Sequence, residues 1–468
     1  MIDFKEHINQ FAFLKEASQL AVERGEDVYL IGGYVRDLIL GRTRSEMDFL
    51  IVGNGPEFAA ALAERLSIKE IVIYRNFGTA HFNYSGFSLE FVGARKESYN
   101  RNSRNPVVTP GTLEDDINRR DFTINTLAIS LNNRDYSELL DKLGGLDDIQ
   151  NQLIRTPLDP EVTFNDDPLR IMRAFRFASQ LGFLIEQKTF DAASKLAERL
   201  SIVSQERITD EFLKILASPN PSIGLIHLFK SGVMKIIFPE IDAMGGIEQR
   251  NEHHHKDVFY HTCMVVDNVS KASDNLWLRF AALVHDIAKP PTKKFIEGTG
   301  WTFHGHEELG ARMMKRIFER MKLPNNKLSY IEKLIRLHLR PIALVDEEVT
   351  DSAIRRLIVA ADEDLDDLIT LCRADITSKN PNKVNKYLEN YDLVMQKVHD
   401  VKEKDRLRAF QSPVRGDEIM RICNIPPSKL VGEIKFSIEE AILDGRIGNN
   451  YEEAFNYLLQ IKESFLNR

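Results

Sequence analysis

Two carboxylates separated by one residue, Glu46 and Asp48 in the run SEMDFLIVG, are the first side chains whose types and spacing point to chemistry. In a strand, residues two apart share a face, about 6.6 Å apart along the backbone, and two carboxylates so placed can share divalent ions. In a two-metal site the ions sit roughly 3.5–4 Å apart, one lowering the pKa of an attacking hydroxyl and the other steadying the leaving group. An isolated acidic pair is also what the solvated face of an edge strand carries. This pair is not isolated, because Gly32, Gly33 and Arg36 precede it in VYLIGGYVRDLILG. That run reads as a strand, a glycine pair and a helix, which gathers backbone N–H groups at a helix N-terminus where an anion can be held.

A second group lies further on. Asp167, Arg170, Arg173 and Arg176 recur every three residues in DDPLRIMRAFRF, so on a helix each steps back about 60° and neighbours act together. Cytosine and adenine both place an exocyclic amine beside a ring-nitrogen acceptor, which suits a carboxylate next to a guanidinium. Uracil and guanine reverse that pattern and would leave desolvated groups unpaired, at about 1–3 kcal/mol each. An Asp–Arg pair therefore has the chemistry to accept CTP and ATP and to reject UTP and GTP. Asp167 followed by Pro168 equally has the form of a helix cap, and the arginines that of a solvated stripe.

These residues need two kinds of scaffold. Residues 28–155 alternate β-rich runs (28–31, 47–52, 71–74 and 89–92) with helical segments, an α/β pattern. From about Asp167 the periodicity is helical and the strands are expected to stop. Pro157, Pro160, Pro239 and the polar run GGIEQRNEHHHKD mark boundaries, the histidine run reading as a solvated loop, and a charged helix is expected from Val398 to Arg408. At about 150 residues per domain, 468 residues make three or four units. The expected division is 1–155, 156–240, 241–385 and 386–468. No stretch approaches the ~20 apolar residues of a bilayer span, the N-terminus carries acids where a signal peptide is basic, and Cys263, Cys372 and Cys423 form no CxxC, so a cytoplasmic protein without membrane association is expected. The net charge of −8 gives no support for nucleic-acid binding, which would have to rely on local basic stretches such as Arg95, Lys96, Arg101, Arg104, Arg119 and Arg120.

In this order the motifs become specific. GGYVRDLILG with a strand carboxylate pair, DINRRDFTIN, DKLGGLDDI, DDPLRIMRAFRF and ERITDEF together resemble the class II family of CCA-adding enzymes and bacterial poly(A) polymerases. The resemblance implies an α+β fold: a polymerase-beta-like α/β head, then an all-α neck, an HD-type body and a helical tail that contacts tRNA. It implies tRNA as partner, CTP and ATP as substrates and Mg²⁺ in the head, with no protein partner. It makes Glu46 and Asp48 the metal pair, Glu90 a third catalytic acid, and Asp167 and Arg170 the base readers. Arg119, Arg120, Asp121 and Asn125, with Arg173 and Arg176, fall to nucleotide binding or its support. Position 46 departs from the family, which has Asp there; the extra methylene of Glu46 still offers oxygen to Mg²⁺.

His261, His285-Asp286 and Asp375 resemble the H…HD…D pattern of HD-domain phosphohydrolases, implying a divalent metal there, with His304, His306 and His338 as further candidates and Lys289 following in HDIAKP. Within the family, Asn76-Phe77-Gly78-Thr79 and the loop from Asn100 to Pro110 favour CCA addition over poly(A) synthesis or partial CC or A addition. From another class stands an HD phosphohydrolase whose head only senses nucleotides.

Overall fold

The computed structural model describes residues 4–466 except 76–77, 101–102, 252–253, 299, 347–349, 379 and 406–411. The chain forms two compact units, Met1–Asp242 and Ala243–Arg468.

The first unit opens with helices Phe4–Asn9 and Ala12–Arg24, followed by strands β1 (Asp27–Ile31), β2 (Glu46–Val52), β3 (Val72–Tyr74), β4 (Thr79–Tyr84) and β5 (Phe87–Gly93). A ribbon of β6 (Arg95–Asn100) and β7 (Ser103–Pro110) follows, then β8 (Ala128–Ser130) and β9 (Leu139–Leu140). Seven of them make one mixed sheet in the order β3-β4-β5-β2-β1-β8-β9. β2 and β5 run parallel with Asp48 opposite Glu90, and β1 pairs β2 antiparallel with Ile31 opposite Asp48. Alternation decides what each face carries. Met47 and Phe49 are fully buried, whereas Glu46 is exposed and Asp48 half-exposed. Phe91 stacks on Phe49 at 4.6 Å and on Phe82 at 5.0 Å, with Phe58 of the covering helix Gly55–Arg65 at 6.3 Å. That helix seats closely because it starts on glycine; a Cβ at Gly55 would lie 2.6 Å from the Gly93 nitrogen.

Helices then take over, among them Leu169–Leu181 and Gln205–Leu216, whose apolar stripes pack together. The second unit is built on helices Val258–Ala272, Leu276–Val284, His306–Met321, Leu328–Leu337 and Leu365–Asp375, followed by Pro381–Asp405. The tail helices Gly416–Cys423, Lys429–Leu443 and Tyr451–Leu466 bury a small core of Ile419, Ile434, Ile438 and Leu458.

The strands do not stop at Asp167. Leu153–Ile154 (β10) pairs with Leu184–Ile185 (β11), Glu248–Asn251 (β12) with His254–Asp257 (β13), and Lys294–Ile296 (β14) with Gly300–Thr302 (β15). Ribbons of two to four residues are too short for alternation to register. His254 and His255 thus belong to a strand, not a loop, and most of the segment expected as a loop from Asn100 to Pro110 is β7. The helix expected from Val398 begins at Pro381, since a proline is tolerated in the first turn. No helix among the described residues is long and apolar enough to cross a membrane. The three cysteines are buried and unpaired.

Phe91→Ala empties the centre of this aromatic stack and is expected to lower the first unit's stability by about 3–5 kcal/mol. Urea unfolding followed by circular dichroism measures it; a loss below about 1 kcal/mol would show that the stack does not hold the sheet.

Candidate functional site

Glu46, Asp48 and Glu90 come together on the sheet face away from the phenylalanines, Asp48 and Glu90 as direct cross-strand neighbours. The glycine loop bends over them. Gly32 has φ of 81°, and a Cβ there would lie 3.0 Å from Arg120 Nη1 and 3.2 Å from Asp48 Oδ2, so glycine is what lets that arginine and that acid approach the loop. Burial pushes the Asp48 carboxyl above its ordinary range, with Arg120 and Arg44 opposing and Glu46 adding to the rise. Burial, then the charge of Asp48, raises Glu90. Carboxylates that crowd one another in this way fit a hard divalent cation through oxygen.

Arg44, which sequence reasoning passed over, closes one side. Its Nη2 donates to Glu46 at 2.6 Å and its Nη1 to Asp37 at 3.1 Å, and it packs on Gly33, where a Cβ would stand 2.7 Å from Nη1. Its place two residues before Glu46, just ahead of β2, was the available signal. Arg36, expected beside a phosphate, is instead buried and donates to Asp37 and, at 2.7 Å, to Asn125 Oδ1. Its bond to Asn125, whose carbonyl lies 3.9 Å from where a Cβ at Gly32 would stand, ties it to the DINRRDFTIN segment beside the loop.

The DINRRDFTIN segment supplies the supports. Asp116, also missed, is fully buried and accepts from Arg119 Nε at 2.8 Å and from Arg120 Nε at 3.1 Å, which aims both guanidiniums. Burial alone would raise Asp121, but Arg173 and the amide of Asn125 outweigh it and hold the carboxyl well below the usual range. Arg173 Nε donates to Asp121 at 2.8 Å, Arg176 Nε to Glu211 at 2.5 Å, and both arginines, with Arg36, surround the ring of Phe177 at 4.1–5.5 Å. Asp167 does not lie on the helix with the arginines. It precedes it, and its Oδ1 accepts from the Leu169 N–H at 3.1 Å, as a cap does. Arg170 is buried and donates to the carbonyls of Thr163 and Arg119. Of the expected basic stretch, Arg95 and Arg119 pair with Glu97, and the side chains of Arg101 and Arg104 lie outside the described residues, as do Asn76 and Phe77.

The second unit holds a separate cluster. His261 Nε2 lies 2.9 Å from Asp375 Oδ1, and His285 Nε2 lies 3.2 Å from Asp286 Oδ2. His306 and His338, weighed in the sequence only as further candidates, approach the other oxygen, Asp286 Oδ1, at 3.4 and 3.9 Å. Asp286 thus serves two groups of three potential ligands, His261/His285/Asp286 and Asp286/His306/His338. His304 is exposed and outside both. In each of the four histidines Nδ1 is tied to an oxygen: Thr377 Oγ1, Ala282 O, Phe303 O and Ile335 O. The Nε2 atoms are left pointing inward, and that of His285, fully buried, faces Asp286 and Asp375. Rings oriented by Nδ1 with Nε2 facing carboxylates are the arrangement of metal ligands. Without metal, burial would lower His285, but Asp286 and Asp375 raise it to about 10, so metal binding must displace a proton. Lys289 Nζ also touches Asp286 Oδ2, at 2.6 Å.

Two outcomes are expected. Because the folded-state pKa of Asp48 is raised, its charge opposes folding, and stability falls as pH rises through that pKa. Asp48→Asn should therefore raise the melting temperature at pH 7; a lowered melting temperature would mean that the residue holds the fold. For the cluster, Mn²⁺ or Ni²⁺ added to chelator-treated protein should raise the melting temperature, less so at pH 5 than at pH 8, and His285→Ala should remove the rise. An unchanged melting temperature would argue against metal there.

Residues 28–155 match the poly A polymerase head domain, 182–244 the probable RNA and SrmB-binding site of polymerase A, and 258–378 the HD domain. The A-adding tRNA nucleotidyltransferase of Deinococcus radiodurans is 32% identical over 355 residues, 74% of this chain and 79% of that protein. The multifunctional CCA protein of Vibrio parahaemolyticus is 30% identical over 371 residues, 74% and 84% of the two. A solved tRNA nucleotidyltransferase complexed with a primer tRNA and an incoming ATP analog superposes with a TM-score of 0.60 at 25% identity, over 82% of this chain and 99% of that one. An apo CCA-adding enzyme, at 22% identity and a TM-score of 0.65, shares the fold over 97% and 96% of the two chains. The chain belongs to the class II family of tRNA nucleotidyltransferases and bacterial poly(A) polymerases: it is a nucleotidyltransferase that carries an HD domain.

Proposed function

We propose that this nucleotidyltransferase adds C, C and A to the 3′ end of tRNA from CTP and ATP, without a nucleic-acid template, in the cytoplasm. The observation that carries the reading is the register of β2 and β5, which sets Asp48 beside Glu90 under the glycine loop. Glu46, Asp48 and Glu90 would hold Mg²⁺, which when bound would lower the hydroxyl pKa and neutralise charge at the phosphates. The tRNA 3′-hydroxyl attacks the α-phosphorus, forming the new P–O bond, and pyrophosphate leaves. Arg120, aimed by Asp116, meets triphosphate oxygens at the loop with bidentate geometry. Asp167 accepts from the exocyclic amine of the base while Arg170 donates to the ring acceptor. A guanidinium carries five donors, and the two carbonyl bonds of Arg170 use two of them.

The converging Nε2 atoms of the second unit favour a further activity, metal-dependent hydrolysis of phosphoesters, which Asp286→Ala should abolish without touching tRNA extension.

Purified protein with tRNA lacking CCA, Mg²⁺ and labelled CTP, ATP or both tests the first reading. Three nucleotides ending in A are expected with both substrates. Incorporation of A without any C into tRNA lacking CCA or ending in CC, in line with the name A-adding that the Deinococcus relative carries, or a long A tract, would overturn it. Asp167→Ala should cut discrimination against UTP by about tenfold or more.

A further inference from the structure

The hairpin β14–β15 projects from the segment that joins the two halves of the histidine–aspartate cluster, leaving the chain five residues after Lys289 and rejoining it four residues before His306. Phe295 and Trp301 are register partners and meet edge to face at 5.3 Å. Neither is packed into a core: Phe295 is 60% exposed and Trp301 44%. Phe295 and Trp301 share one face of the ribbon as register partners, and Lys293 and Phe303 stand one residue beyond the paired strands. The Lys293 ammonium stands 4.6 Å above the Trp301 ring and that of Lys289 5.8 Å from the Phe303 ring. Lys289 in turn bonds Asp286. These rings and cations form a row that starts on an exposed hairpin and ends at the buried cluster.

We infer that this row is a binding platform for single-stranded RNA, bases stacking on Phe295 and Trp301 and a phosphate paired with Lys293 on the same face. Aromatic rings interleaved with lysine suit unpaired nucleotides, because every base offers a π-face whatever its sequence, and the backbone carries one negative charge per residue. An ammonium resting on an exposed ring is held weakly. A base can displace Lys293 from Trp301 and leave it free for a phosphate. A protein partner of the same apolar character gains nothing from the adjacent lysine. The row's end at Asp286 places the bound strand beside the cluster; what the cluster does to it rests on the hydrolytic reading above, whereas the binding does not.

Titration of the full chain with a labelled hexa-adenylate, and with an abasic phosphodiester hexamer of equal charge, tests this by fluorescence anisotropy. Hexa-adenylate is expected to bind at least about fivefold more tightly than the abasic strand. Phe295→Ala and Trp301→Ala should each weaken it roughly fivefold to a hundredfold, with Trp301→Phe restoring most of the affinity. Lys293→Ala should reduce the slope of log affinity against log salt by about 0.7, whereas Lys294→Ala, on the opposite face, should leave it nearly unchanged. Extension of tRNA at saturating concentration should be unmoved in all of them; its absence from the parent protein would count against the nucleotidyl-transfer reading alone. Equal binding of the two strands, or affinity unmoved by the two alanine changes, overturns the platform.

Discussion

A carboxylate buried as deeply as Asp121 stays charged only if it is met from several directions, and the partners that meet it are the parts that the proposed templateless addition would need held together. Arg173 reaches it from the helix Leu169–Leu181, Asn125 from the turn after it, and Arg36 bonds Asn125 from the helix that starts at the glycine loop. Phe177 fills the space between the three guanidiniums. One ionic centre thereby fixes the loop above Asp48 relative to the helix that follows Asp167. Removing one member of a buried charge pair costs about 3–5 kcal/mol, so the arrangement is rigid by construction. Rigidity is what selection by the protein alone demands, since a displacement near 1 Å is worth about a hundredfold in rate.

The second unit solves a related problem with helix ends. His285 and His338 cap helices whose last carbonyls have no partner within the helix, and each donates Nδ1–H to the carbonyl three residues before it. His306 does the same with Phe303 at the start of its helix. Satisfying those carbonyls is also what turns the Nε2 atoms toward Asp286. Capping and ligand orientation are here one bond, which is why this cluster is precise while lying among buried, tightly packed helices.

The sequence made some of this legible. Runs of β-branched residues marked β1, β2 and β5, and the alternation around Glu46 and Asp48 placed both acids on one face, as observed. β4 and the short ribbons escaped because two to six residues offer too little periodicity. Asp116 was unreadable as a support, since an acid in a helical run looks solvated until arginines fold over it. Arg36 misled for the opposite reason: three residues past a glycine pair suggests a phosphate, whereas the turn of the helix points it inward. His306 and His338 stand far from His285 along the chain, and only the packing of three helices shows that they share Asp286 with it.

If the Asp121 centre sets both geometry and selectivity, the Asp121→Asn variant should show it most directly in the ratio of kcat/KM for CTP to that for UTP on tRNA lacking CCA. The account predicts that this ratio falls by at least about tenfold in protein that still unfolds cooperatively. A ratio equal to that of the parent protein, with only the melting temperature reduced, would contradict it and leave Asp121 a residue of the fold alone.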